Sequence, residues 1–108
     1  MKAEAVIAKP DVSSVQLELL PTGYLHISAE VAATYFPSDS LIAMMRDGEL
    51  WLLPVANRSS GGLLLKHRNA HGDRSVLIWE VLPENTIARL YTATWDNNAK
   101  TLRISLND

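Results

Sequence analysis

The residues of this chain with the most chemistry at close spacing are Lys66, His67, Arg68, His71 and Arg74, with Asp73 among them as the only acid. Arg58, in the Asn57–Gly62 stretch NRSSGG, is placed to join them. Arginines beside glycine-rich turns can hold phosphate or carboxylate groups through paired N–H donors. The same residues would also serve as an exposed tip kept soluble by its charge. His67, His71, Asp73 and Glu80 offer a metal or acid/base set. His67 and His71 are four residues apart, but Asn69 and Gly72 make the stretch a turn, so they do not share a helical face. A catalytic metal needs about three protein ligands and a supporting shell, and His26 is distant in sequence. Ser59 and Ser60 lack a nucleophile elbow, and Ser13, Ser14 and Ser38 read as turn or cap residues. The reading is therefore no catalytic set, no metal and no cofactor. The anion- or partner-binding candidates are Arg58, Lys66, His67, Arg68, His71 and Arg74.

The aromatic residues Trp51, Trp79, Trp95, Tyr24, Tyr35, Tyr91 and Phe36 sit among Leu, Ile and Ala, where core packing is their usual use. Stacking of single-stranded nucleic acid would require them to be interleaved with basic residues. Met44-Met45 reads as core in the same way.

Elements that would position these groups follow from the pattern. Val15 to Leu19 alternates apolar and polar, as a half-buried strand does. Pro21-Thr22-Gly23 is a turn and Tyr24–Ile27 a short strand. Ser28 is a helix N-cap with Glu30 in the first turn, and the helix runs over 29–36, stopped by Pro37. Asp47-Gly48 between Ser40–Arg46 and Glu49–Leu53 signals a type I′ hairpin. Both of these strands are apolar on both faces, so both faces require cover, one of them from a second subunit. Further hairpins are expected over 63–82, with the tip at 69–73, and over 87–106, with the turn at Asp96–Ala99. The fold class is mainly β (α+β): a small antiparallel barrel or packed sheets of about seven strands with one short helix near 29–36, in a single domain over 1–108.

The 108 residues are 47% hydrophobic and 20% charged, a globular composition. Ten Lys+Arg against twelve Asp+Glu give a net charge of −2, which argues against coating nucleic acid by bulk charge. The charge is uneven: three basic and seven acidic residues up to 54, seven and five after it. No cysteine is present, so disulfides and thiolate chemistry drop out. No apolar run reaches the roughly 18 residues of a membrane span, and the start has no signal-peptide core. The expected location is cytoplasmic.

Residues 24–55, YLHISAEVAATYFPSDSLIAMMRDGELWLLPV, run strand, short helix, Pro-Ser-Asp, strand, Asp-Gly turn, strand. This stretch resembles the swapped-hairpin half-barrel of the AbrB/SpoVT regulators and antitoxins. Ile27-Ser28 stands where that family often has Ile-Pro, and Ser38-Asp39 where it has Gly-Asp. The resemblance spans under a third of the chain and implies a barrel made by two intertwined chains. It does not bring DNA binding with it, because this half is acidic and has no basic residue between Lys9 and Arg46.

Three functions follow. The first is a non-catalytic accessory protein acting as a homodimer or through a protein partner. The second is a nucleic-acid-binding regulator using the basic 58–74 hairpin. The third is a small enzyme or ligand binder at the His67, His71, Asp73 tip with Glu80.

Overall fold

The computed structural model describes residues 14–57 and 61–107. Its elements are β1 (Ser14–Leu19), β2 (Tyr24–Ile27), α1 (Ala29–Tyr35), β3 (Ser40–Arg46), β4 (Glu49–Pro54), β5 (Leu63–Leu64), β6 (Lys66–His67), β7 (Arg74–Leu77), a 3-10 turn (Trp79–Val81), β8 (Leu90–Asp96) and β9 (Thr101–Ser105). The strands form one sheet in the order β5-β3-β4-β9-β8-β1-β2-β7-β6, with every pairing antiparallel.

The two ends of that sheet, β5 and β6, are separated in sequence by Leu65 alone. One short segment therefore pairs with β3 on one side and with β7 on the other, and the sheet curls into a nearly closed barrel. Leu65 at the bend is buried, and its N–H donates to the Asp39 carbonyl at 2.9 Å. The nine strands exceed the expected seven because β5 and β6 are two residues each. The one strand expected at the start of the 63–82 hairpin is divided at Leu65 between two neighbours.

The interior is filled by alternate residues of the long strands: Leu17, Leu19, Leu25, Ile27, Leu50, Leu52, Ala93, Leu102 and Ile104. Helix α1 contributes Val31, Ala32 and the C-cap residue Phe36. The helix begins where the sequence places it, since the Ser28 hydroxyl accepts the Val31 N–H at 3.3 Å. It ends at Tyr35, one residue before the expected boundary. Asp47 (φ 54°) and Gly48 (φ 80°) both adopt positive φ between the paired Arg46 and Glu49, as the type I′ hairpin requires.

Three expectations need correction. The strand expected over 75–82 stops at Leu77, because Ile78 turns out of the extended region (φ −120°, ψ 11°) into the 3-10 turn. Trp79, expected in the core, is 60% exposed. Trp51 is half-buried and lies between two guanidinium groups, Arg46 at 5.0 Å and Arg103 at 4.9 Å from the ring centroid. Among the described residues, the β3–β4 hairpin is covered on one face only, as its two-sided apolar pattern leads one to expect. Leu41, Leu50 and Leu52 are buried, whereas Ile42 and Met44 are exposed.

Candidate functional site

The basic tip divides into groups that hold the fold and groups that remain outside. Asn69 organises the loop: its carbonyl oxygen accepts the N–H of His71 (3.0 Å) and of Asp73 (3.3 Å), and its amide donates to Asp73 Oδ2 at 3.0 Å. Asp73 Oδ1 accepts the Ala29 N–H at 2.9 Å, tying the loop to the first turn of α1. His26 lies against the same carboxylate, with Nε2 3.6 Å from Asp73 Oδ2 and Nδ1 3.8 Å from Glu18 Oε1. Arg74 turns to Asp39, with Nε to Oδ1 at 2.9 Å, and also donates to the Gly72 carbonyl. Asp73 and Arg74 are thus internal struts between α1, β7 and the β3 entry. Lys66, His67, Arg68 and His71 are exposed. Arg58 lies outside the described residues.

The metal and acid/base reading loses its carboxylate here, because Asp73 is directed at the helix and Glu80 sits in the 3-10 turn. Among the described residues, no three His, Asp or Glu side chains gather to hold a metal ion.

The Asn69 amide, then the Ala29 N–H, holds the Asp73 carboxyl below its ordinary range. Asp96 is lowered first by the Ala99 N–H and next by Arg103. A carboxylate with a depressed native pKa stabilises the fold above its unfolded pKa, near 4. That contribution disappears as the pH falls through the lowered native value. Acid should therefore lower the melting temperature from about pH 4 downward. Asp73→Asn and Asp96→Asn should each flatten that decline, as thermal melts at stepped pH would show. An unchanged slope would remove the two carboxylates from the acid response.

Arg103 spans three strands on the outer face. Its Nη2 lies 2.7 Å from Glu49 Oε1 of β4 and its Nη1 2.9 Å from Asp96 Oδ2 of β8. These groups line a shallow groove of about 470 Å³ with Thr92, Thr94 and Ser105. With every charge paired inside it, the groove works as a clasp across β4, β9 and β8. Glu49 and Arg103 are 54 residues apart, so no local pattern announces the pair.

The larger anomaly is apolar. The outward residues of β3 and β4 pair as Ile42 with Leu53 and Met44 with Trp51. Leu64 of β5 joins them from opposite Ser40. Ile42 is 45%, Leu64 45% and Met44 37% exposed. Sequence reasoning found this face, through the double apolar parity of both strands, but missed Leu64 and Trp79. The signal for Trp79 was available: with Val76 and Ile78 inward, Leu77 and Trp79 fall on the opposite parity.

No helix among the described residues is long and apolar enough to cross a membrane. No known family model, curated protein or solved structure matches the chain.

Proposed function

We propose that this chain is a non-catalytic interaction protein, acting in the cytoplasm as a homodimer or through a protein partner, and that it engages through the outward face of β5, β3 and β4. The observation that carries this reading is the exposed row of Ile42, Met44 and Leu64 beside Trp51 and Leu53. Contiguous apolar surface on a folded domain marks an interaction site more often than chance exposure. A half-buried tryptophan and a methionine are residue types enriched at such interfaces. The AbrB-like topology is part of the proposal. It is supported by the order of β2, α1, β3 and β4 along residues 24–55. The resemblance implies two intertwined chains, whereas one chain here brings its own sheet almost to closure. The second copy is therefore proposed to dock on the outer face and not to complete the barrel.

Met44→Asp places a charge in the middle of the row without touching the core. Association measured by sedimentation should weaken by about tenfold or more, with the thermal melt nearly unchanged. Unaltered association would remove this face from the account.

A nucleic-acid-binding regulator is the second reading. It is favoured by Lys66, His67, Arg68 and His71 standing outward while Asp73, the acid among them, is turned to α1. Binding of that kind falls steeply with salt.

A further inference from the structure

Trp79 is exposed and yet firmly mounted. It follows the buried Ile78, whose N–H donates to the Gly23 carbonyl at 3.1 Å, and the Trp79 carbonyl accepts the Leu82 N–H at 3.2 Å. Its side chain rests on Gly23 so closely that a Cβ there would come within 2.8 Å of the Trp79 Cβ. The indole is thus fixed by backbone on one side and open to solvent on the other. Beside it lies a hollow of about 280 Å³ lined by Pro21, Thr22, Leu77, Trp79 and Glu80. Leu77 is itself exposed. Glu80 carries the only charge of this lining, and no cation among the described residues pairs with it.

We propose that this hollow is a docking site for an extended segment of another protein that presents an aliphatic or proline side chain next to a lysine or arginine. The apolar side chain fills the space between Leu77, Pro21 and the indole. The cation lies against the Trp79 face and pairs with Glu80, so one ligand residue meets both the ring quadrupole and the carboxylate. Glu80 repels phosphate, which sets this site apart from the basic tip. A rigid tryptophan loses little side-chain freedom on binding, and tryptophans dominate interface energetics for that reason among others. The site uses residues other than the outward row of β5, β3 and β4 and does not depend on that row being an interface.

The test is a display selection of random short peptides against the full chain. The selected sequences are then synthesised and their affinity measured for wild type, Trp79→Ala and Glu80→Lys. Enrichment of an aliphatic residue or proline adjacent to Lys or Arg is expected. Affinity should fall about tenfold or more in each variant, while the melting curve and solution mass stay those of the wild type. Glu80→Lys keeps the indole in place and so separates loss of charge from any local rearrangement. In wild type, the bound peptide should shift the Trp79 indole N–H resonance. Selection of nothing above background, of sequences without a basic residue, or of peptides that bind both variants as tightly as wild type would overturn the proposal. A changed solution mass in Trp79→Ala would also overturn it, by making the hollow a contact between copies of this chain.

Discussion

Phe36→Ala should cost about 3–5 kcal/mol, the range for truncating a buried phenylalanine. Domains of this size hold about 5–15 kcal/mol in total, so this one truncation takes a large share of the stability. Phe36 ends helix α1, and its N–H donates to the Ala32 carbonyl at 2.9 Å. Its side chain is fully buried in the core cluster with Leu17, Leu25, Leu41 and their neighbours. The helix has only seven residues, too few to persist without tertiary contacts. Its attachment rests on Val31, Ala32 and Phe36 inside and on the Asp73 carboxylate at its start. Removing the ring opens a cavity and releases the helix together. Urea unfolding followed by tryptophan fluorescence would measure the loss. A midpoint within experimental error of the wild type would mean that α1 contributes little to the core.

Gly62→Ala attacks the closure of the barrel. Gly62 holds φ at +93°, and a Cβ there would lie 2.7 Å from the Leu41 carbonyl oxygen and 3.2 Å from Ser40 Oγ. Neither neighbour has room to yield. Ser40 is fully buried with its hydroxyl donating to the Gly61 carbonyl at 2.9 Å, and Leu41 pairs with Leu63 in the ladder. Left-handed strain of about 1–2 kcal/mol adds to a steric cost of about 1–3 kcal/mol. Gly61→Ala is the matched control. Gly61 has the same φ of +93° with nothing near its absent Cβ, so that variant carries the strain without the collision. Gly62→Ala should be the less stable of the two by about 1–3 kcal/mol. Amide exchange should quicken at Leu65, the residue that joins the two ends of the sheet. Equal stability in the two variants would show that the segment is not seated on β3.

Much of the fold is legible locally. Ser28 and Pro37 bracket the helix, Asp47-Gly48 sets the hairpin, and the alternation of Leu102 and Ile104 with Arg103 and Ser105 gives β9 its inner and outer faces. Features that depend on distant partners are not legible. The stretch 63–68 reads as one strand of the 63–82 hairpin, but the sequence does not show that its hydrogen bonds divide between β3 and β7 after two residues each. Arg74 reads as a free cation until Asp39, 35 residues away, is brought against it. Asp73 reads as a surface acid until α1 offers it an N–H. The candidate site shrinks for the same reason: of the six basic-tip residues, Lys66, His67, Arg68 and His71 stand outward, Arg74 is an internal strut, and Arg58 lies outside the described residues. The apolar face of β3 and β4 is legible, because two-sided hydrophobicity is a local signal that needs no distant partner to be read.

The most direct measurement is the solution mass of the wild-type chain by light scattering over a range of concentrations, with absorbance read for bound nucleic acid. The expected mass is twice 11.9 kDa at high concentration, falling toward the monomer on dilution and free of nucleic acid. A monomer at every concentration would contradict the homodimer and leave the outward row of Ile42, Met44 and Leu64 to a different protein. Bound nucleic acid that salt removes would contradict the account more deeply and move the function to the basic tip.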